Sequence, residues 1–248
     1  MITGHMRSGT TMLRNLCNSH PDLSVTNELR LFLDLGAHYR VHFRNVLQRI
    51  RRKHHILGKP AILPCLRYVG EIMRRRPQAV DLPVMESTLR GALGNVKIVG
   101  DKMPGYWIHL DRFVLLPDLF RVFVYRDCRD VASSVLARCR GAWRHESFIE
   151  KLNSPAKAAA SWRTCMDRME RHRDELHIIR YETLVRDPMQ ELMRLSEALE
   201  IDVEGFSGSW TSRVHENSIG KHRDNLTGSD LDAVLAIAGP SMERLEYL

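Results

Sequence analysis

Short apolar runs alternate along the chain with longer segments in which apolar residues recur every three or four positions. The short runs predict buried strands, and they lie at residues 24–27, 97–100, 121–125 and 176–181. The longer segments predict amphipathic helices, and they lie at residues 84–94, 106–116, 131–138, 156–174, 188–199 and 229–247. Pro155, at the start of the clearest helix, suits a first helical position.

The same pattern begins at the first residue. A very short strand precedes a glycine-containing turn, and Met12, Leu13, Leu16 and Cys17 then fall on one face of a predicted helix. Alternating strands and helices predict an α/β, P-loop-like three-layer fold with a central parallel sheet flanked by helices. We find no internal repeat and no long linker, so we expect a single domain over residues 1–248.

The chain is basic, with a formal net charge of +7 and a pI of about 9.4. A basic surplus favours an anionic ligand or surface, such as a nucleotide, nucleic acid, acidic glycan, acidic peptide or anionic lipid, without choosing among them. A solvated basic surface is the alternative. The segment 29–78 predicts strongly basic helices, with clusters at 49–53 and 74–76.

The five cysteines are odd in number and contain no C-x-x-C pair. We therefore expect reduced, mostly buried thiols and no metal site, with one disulfide as an open alternative. No apolar run is long enough to span a bilayer, and no signal peptide is recognisable. These features predict a cytoplasmic protein, and an anchor or signal upstream of Met1 stays open.

The segment from Gly4 to Thr11 carries the strongest chemical signal. It leads from a strand into a helix, so backbone N–H groups and the positive end of the helix converge on one spot that suits phosphate or sulfate. Side-chain donors are added by Arg7, Ser8, Thr10 and Thr11. A strand–helix turn that binds nothing is the alternative.

The nucleotide-triphosphatase loop offers a direct comparison. Gly4 and Gly9 have its glycine spacing, but Thr10 occupies the position of its lysine. The missing lysine argues against an enzyme that uses magnesium-bound ATP or GTP.

A second anion site is predicted after the strand at 121–125. Arg126 stands at the carboxyl end of that strand, where open α/β sheets bind ligands. Ser134 and Arg138 are one helical turn apart and share a face. Two arginines and a hydroxyl would suit a phosphate monoester.

The competing interpretation of this segment is a pair of surface ion pairs. Arg126 would pair with Asp127, and Arg129 with Asp130. Such pairs contribute little to stability.

At this point a family resemblance becomes specific. Arg7-Ser-Gly-Thr-Thr resembles the 5′-phosphosulfate loop of sulfotransferases that use 3′-phosphoadenosine 5′-phosphosulfate (PAPS), and the stretch through His20-Pro-Asp-Leu is most similar to tyrosylprotein sulfotransferases and their relatives. Arg126, with a serine eight positions later, resembles the family's 3′-phosphate motif. The resemblance implies PAPS as donor, its product PAP, no metal, and cofactor contacts from Arg7, Ser8, Gly9, Thr10, Thr11, Arg126, Ser134 and Arg138.

Two further segments resemble the same family. The sequence 179–188 is similar to its Tyr-Glu-x-Leu-x-x-x-Pro segment, which implies that Tyr181 contacts the nucleotide, although packing alone is the alternative. The sequence 217–226 is similar to the late loop that folds over the cofactor. Its implied contacts are Ser218, Lys221 and Arg223.

The resemblance also implies the catalytic groups. Gly100-Asp-Lys-Met-Pro resembles a segment whose lysine, here Lys102, helps the leaving group. The histidine base of cytosolic relatives is absent, because Pro104 occupies its position. Glu28, 21 positions after Arg7, matches the glutamate base of the tyrosylprotein type. The implied catalytic set is Glu28, Arg7, Lys102 and Ser218, and ordinary surface positions are the alternative for Glu28 and Lys102.

The acceptor is the least specified part. We expect residues 29–95 to form a helical acceptor-side region for a hydroxyl-bearing substrate: a peptide tyrosine, a saccharide or a small molecule. An acidic acceptor stays open. We expect no nucleic acid partner, and leave a homodimer open. The alternatives are a P-loop kinase, a basic nucleic-acid-binding module at residues 40–76, and a degenerate sulfotransferase fold that binds nucleotide without transfer.

Overall fold

The computed structural model of the chain describes residues 1–28, 82–93, 96–206, 214 and 216–248. Of the predicted acceptor-side region 29–95, only the helix at 82–93 is therefore described. The basic helices predicted within 29–78 lie outside the described residues.

The described residues form a five-stranded, wholly parallel sheet. Its strands are β1 (Ile2–Gly4), β2 (Leu23–Asn27), β3 (Ile98–Lys102), β4 (Val122–Tyr125) and β5 (His177–Arg180). Their spatial order is β2-β3-β1-β4-β5, so the chain moves to one side of β1 and then to the other. Ligands of open α/β sheets bind outside the carboxyl ends of strands at such a reversal.

Helices flank the sheet, as predicted. They are α1 (Thr10–Cys17), α2 (Leu82–Leu93), α3 (Leu110–Phe113), α4 (Cys128–Arg140), α5 (Pro155–Arg171), α6 (Tyr181–Arg186), α7 (Pro188–Leu199), α8 (His222–Asn225) and α9 (Gly228–Arg244). Short 3₁₀ segments lie at Pro104–His109, Ile149–Lys151, Arg173–Glu175, Val203–Gly205 and Glu216–Ser218. None of the described helices is long and apolar enough to cross a membrane.

Two predicted helix boundaries differ from the structure for local reasons. The helix expected at 106–116 is a 3₁₀ segment opened by Pro104 and followed by the short α3, and Pro117 lies just beyond it. The helix expected from residue 131 already begins at Cys128, because the Asp127 side chain accepts the N–H of Arg129 at 2.8 Å and caps it.

The sheet separates two apolar cores. Successive side chains of a strand point to opposite faces, so Val122 and Val124 pack with α1, α6 and α7, whereas Phe123 packs with α4, α5 and α9. This arrangement confirms the α/β layer prediction. The described cysteines are free and buried, namely Cys17, Cys128, Cys139 and Cys165.

A buried polar cluster joins β2 and β3 near their carboxyl ends. Thr26 lies opposite Asp101 in the parallel register, and its Oγ1 donates to Asp101 Oδ1 at 2.5 Å. The Tyr106 hydroxyl donates to the other carboxylate oxygen. All three residues are almost fully buried, and they fix the strand ends that precede Glu28 and Lys102.

Replacing Thr26 with Val tests this cluster. Thr26→Val keeps the shape of the side chain but leaves a buried carboxylate short of one donor, so we expect a loss of about 1–3 kcal/mol in the free energy of unfolding. Urea unfolding measures it, and Thr26→Ser, which keeps the hydroxyl, serves as the control. Equal stabilities of the Val and Ser variants would contradict a role for the hydroxyl.

Candidate active site

The loop between β1 and α1 has a backbone that few residues could adopt. Gly4 has φ 147°, and a Cβ there would lie 2.1 Å from the carbonyl oxygen of Val124. Gly9 has φ 94°, and a Cβ there would lie 2.3 Å from Cδ2 of Tyr181. Both glycines are required because the loop passes directly against β4 and Tyr181.

His5 fixes the start of this loop. Its Nδ1–H donates to the carbonyl of Met6 at 2.9 Å, which leaves Nε2 to accept from the Ser161 hydroxyl of α5 at 3.0 Å. Burial lowers the pKa of His5 to about 4, although the hydrogen bond to Met6 opposes the shift. His5 is therefore a neutral structural link between the loop and α5.

The loop presents donors that the protein itself does not satisfy. Ser8 is fully buried, and its Oγ has no hydrogen-bond partner among the described residues. The first N–H groups of α1, which begins at Thr10, have no acceptor within the helix. Thr10 is buried and Thr11 exposed. Buried donors without partners are unfavourable, so this loop fits an anionic ligand.

Arg126, the residue after β4, connects the separate parts of the site. It is 6% exposed, and its guanidinium donates to the carbonyl oxygens of Arg7, at 3.2 Å, and of Ser218. Its Nη2 lies 3.3 Å from Asp130 Oδ2, and its Cζ lies 4.6 Å from the centre of the Tyr181 ring. The Nε of Arg126 is buried and has no partner in the described ranges.

The ion pairs of this segment differ from the two surface pairs considered as the alternative, Arg126 with Asp127 and Arg129 with Asp130. Arg126 pairs with Asp130, one helical turn away, and Arg129 pairs with Asp127 at 2.7 Å. The first pair is almost fully buried, because its side chains are 7% and 1% exposed. It is part of the site and not a surface pair.

Arg7 joins the two predicted anion sites. Its Nε donates to Ser134 Oγ at 2.8 Å, so a residue predicted at the 5′ end of the nucleotide contacts one predicted at the 3′ end. Burial is the main reason why the pKa of Arg7 is lowered, and the positive charges of Arg138 and Arg126 lower it further. Arg126 and Arg138 thus lie close enough to Arg7 to repel its charge, and an anion beside Arg7 would relieve that repulsion.

The late loop reaches the site through its backbone. Ser218 contacts Arg126 through its backbone carbonyl. Lys221 and Arg223 are exposed at the start of α8. Their side chains are therefore free to reach a ligand from the solvent side, and their predicted roles stay predictions.

Glu28 and Lys102 form an ion pair at the carboxyl ends of β2 and β3. Lys102 Nζ lies 3.0 Å from Glu28 Oε1, and the Glu28 N–H donates to the Lys102 carbonyl at 2.7 Å. The Lys102 side chain is 1% exposed, but that of Glu28 is 36% exposed. Glu28 adopts φ 59°, which is unfavourable for a non-glycine residue. The pair is buried on one side and open to solvent on the other.

The predicted residues converge because all the strands are parallel. The carboxyl end of each strand leads to one of them, in the order Arg7, Glu28, Lys102, Arg126 and Tyr181 for β1 to β5. Within the described ranges, no group of three or more His, Cys, Asp or Glu side chains could hold a metal ion.

Sequence reasoning missed three polar residues that hold the site together. His5 and Asp101 are buried behind it, and only their contacts across the fold identify them. Asp130 lies only four residues after Arg126, so its short separation in sequence is the one signal that could have pointed to it.

A sequence model of the sulfotransferase family matches residues 1–205. The chain belongs to the sulfotransferase family. This membership confirms the family on which the motif interpretation depends, and it does not decide between the tyrosylprotein branch and others.

A curated relative matches most of the chain. The chain is 28% identical over 242 residues to the nodulation protein NoeE of Sinorhizobium fredii, a match that covers 90% of the chain and 55% of NoeE. The chain thus spans about half the length of this curated relative.

Solved structures show the same fold. The sulfotransferase domain of the Synechococcus PCC 7002 olefin synthase superposes with a TM-score of 0.65 at 20% identity, over 96% of this chain and 92% of that domain. The sulfotransferase domain of the curacin biosynthetic pathway gives 0.58 at 18% identity, over 100% and 96%. Sulfotransferase STF9 from Mycobacterium avium gives 0.54 at 16% identity, over 98% and 75%.

The neutral state of His5 predicts a specific acid sensitivity. The unfolded chain takes up a proton near pH 6.5 but the folded chain only near pH 4, so the free energy of unfolding falls as the pH drops through this range. Over the whole range, the free energy of unfolding falls by roughly 3 kcal/mol because of His5. Urea unfolding of wild type and His5→Asn between pH 7 and about pH 4 should show a steeper loss for wild type. Parallel curves would contradict this expectation, because they would mean that His5 takes up its proton at nearly the same pH in the folded and the unfolded chain.

Proposed function

We propose that this sulfotransferase transfers the sulfuryl group of PAPS to a hydroxyl of its acceptor, with Glu28 as general base. The observation that carries the proposal is the Glu28–Lys102 ion pair at 3.0 Å, at the same edge of the sheet as the donor-rich loop. This pair supports the proposal because it supplies a proton acceptor and a cation at the same sheet edge as the proposed anion-binding loop.

The choice of PAPS is supported by two distinct groups of anion-binding residues. The unpaired hydroxyl of Ser8 and the start of α1 suit the 5′-phosphosulfate, while Arg126, Ser134 and Arg138 suit the 3′-phosphate. Tyr181, packed against Gly9 and beneath Arg126, offers an aromatic surface beside both. A nucleotide with a phosphate at each end uses both groups at once.

The proposed chemistry is an in-line displacement in which positioning and charge stabilisation dominate. PAPS supplies an activated sulfuryl group. Glu28 accepts the proton of the acceptor hydroxyl as that oxygen forms a bond to sulfur, and the bond between sulfur and the 5′-phosphate oxygen breaks. Lys102, Arg7 and the loop N–H groups stabilise the negative charge that develops on the departing phosphate. We assign no step to a metal ion.

The acceptor approaches from the solvent side of Glu28 in this proposal. Lys102 is buried behind the carboxylate, whereas about a third of the Glu28 side chain is exposed. A peptide tyrosine, a saccharide and a small molecule all carry a suitable hydroxyl, and the segment 29–95 is where we expect selection among them. We further propose a single domain acting in the cytoplasm, with a homodimer left open.

The P-loop kinase alternative is not favoured. Thr10 occupies the position of the kinase lysine, and the chain belongs to the sulfotransferase family.

Calorimetric binding of PAP tests the donor. Because PAP differs from AMP only by the 3′-phosphate, charge-assisted hydrogen bonds from Arg126 should make PAP bind at least about tenfold more tightly. Binding should not require magnesium. Arg126→Ala should remove most of the difference, and because Arg126 also contacts the loop that follows β1, it should weaken AMP as well, by a smaller factor. A preference for magnesium-bound ATP over PAP would contradict the proposed donor and favour the kinase alternative.

Replacing Glu28 with Gln tests the base. Glu28→Gln keeps the size of the side chain but cannot accept the proton, so we expect kcat to fall by about 100- to 10,000-fold. The measurement is single-turnover transfer from labelled PAPS to an acceptor found by screening, with PAP affinity determined in parallel.

PAP affinity should stay close to wild type in this variant. Glu197→Gln, on an exposed residue of α7, is the matched control and should leave both values unchanged. If Glu28→Gln abolishes PAP binding as well, the role of Glu28 is structural and the proposed base is wrong.

A further inference from the structure

Asp130, in the first turn of α4, is a buried carboxylate with several donors around it. Its Oδ1 accepts the N–H of His222 at 3.0 Å and Nδ1–H of the His222 side chain at 2.8 Å. Its Oδ2 accepts the N–H of Gly220 at 2.8 Å and faces Arg126 Nη2 at 3.3 Å. One carboxylate therefore binds the 3′-phosphate arginine and the backbone of the late loop together.

The surroundings of Asp130 favour its charged form. Burial alone would raise the pKa of this carboxyl, but the hydrogen bonds from His222 and Gly220 and the charge of Arg126 outweigh it, and the pKa is lowered. A buried carboxylate is tolerated only when it is paired and hydrogen-bonded in this way. A protonated or amidated side chain would lose acceptor capacity and leave buried donors unsatisfied.

The loop held by Asp130 carries predicted cofactor residues. Ser218 contributes its carbonyl to Arg126, and Lys221 lies between the two residues whose N–H groups bind Asp130. The backbone position of Lys221 thus depends on Asp130, although the Lys221 side chain is exposed and the Asp130 side chain is buried.

We propose that Asp130 is a positioning residue that fixes the loop 217–223 against the 3′-phosphate side of the site and thereby sets the preference for PAP over AMP. Asp130 acts through Arg126 and through the backbone of the loop, not by touching the acceptor or the sulfuryl group. This proposal rests on the proposed function for its ligand, but the attachment of the loop can be measured without any ligand.

Hydrogen exchange of the ligand-free protein tests the attachment. Asp130→Asn replaces two acceptor oxygens with one, because a side-chain amide has a single oxygen. We therefore expect the backbone N–H groups of Gly220 and His222 to exchange at least about tenfold faster. Peptides from β1 and α1 should keep their wild-type exchange. Asp127→Ser is the matched control, because it alters an acid of the same helix turn while keeping a capping side chain.

Calorimetry with PAP and AMP tests the consequence. We expect Asp130→Asn to weaken PAP by about tenfold, a value in the range of one charge-assisted hydrogen bond, and to leave AMP affinity nearly unchanged. Asp127→Ser should preserve the PAP-to-AMP ratio. A merely structural role would weaken both nucleotides together and would overturn the proposal.

A second variant covers the case in which Asp130→Asn does not fold. His222→Leu removes one side-chain donor and leaves the carboxylate intact, so we expect faster exchange at residues 220–222 and a smaller reduction of the PAP-to-AMP ratio. Unchanged exchange and an unchanged ratio in a folded variant of either residue would overturn the proposal. Failure of the wild-type protein to prefer PAP would instead refute the proposed function, while the exchange result would still decide whether Asp130 holds the loop.

Discussion

The burial of the Arg126 guanidinium is the interaction on which the rest of the site depends. A buried cation is tolerated only when acceptors surround it, and those acceptors come from distant parts of the sequence. The carbonyls of Arg7 and Ser218, the carboxylate of Asp130 and the ring of Tyr181 all contact this one side chain. The loop between β1 and α1, the loop at residues 217–223 and the segment after β5 are thereby held in one arrangement.

The arrangement leaves positive charge in excess. Arg7 and Arg126 lie close together, Arg138 adds to the repulsion, and Asp130 is the acid that pairs with Arg126. Two non-glycine residues of the site, Arg7 and Glu28, also adopt positive φ, which costs free energy. An anionic ligand would recover part of both costs, because it adds the missing opposite charge and fixes backbone that is already positioned for it.

The sequence patterns predicted more of the fold than of the contacts within the site. Short β-rich runs marked β1 to β5, and alternation with helices implied parallel strands, so Arg126 and Lys102 could be assigned to strand ends in advance. The contact between Arg7 and Ser134 could not be predicted, because the two residues are 127 positions apart and only the strand order brings them together. The same holds for Asp101, which local sequence does not distinguish from a surface acid.

Nucleotide binding and acceptor selection differ in what a sequence can reveal about them. The proposed nucleotide site needs glycines at Gly4 and Gly9, since a side chain would collide with Val124 or Tyr181, and it needs arginines in fixed register with strand ends. Such requirements leave motifs that can be recognised. In the proposed function, an acceptor needs only a hydroxyl presented to Glu28, and many surfaces can do that without a motif. The sequence therefore reveals the proposed nucleotide site more readily than the choice of acceptor, which depends on side chains whose identity the chemistry leaves free.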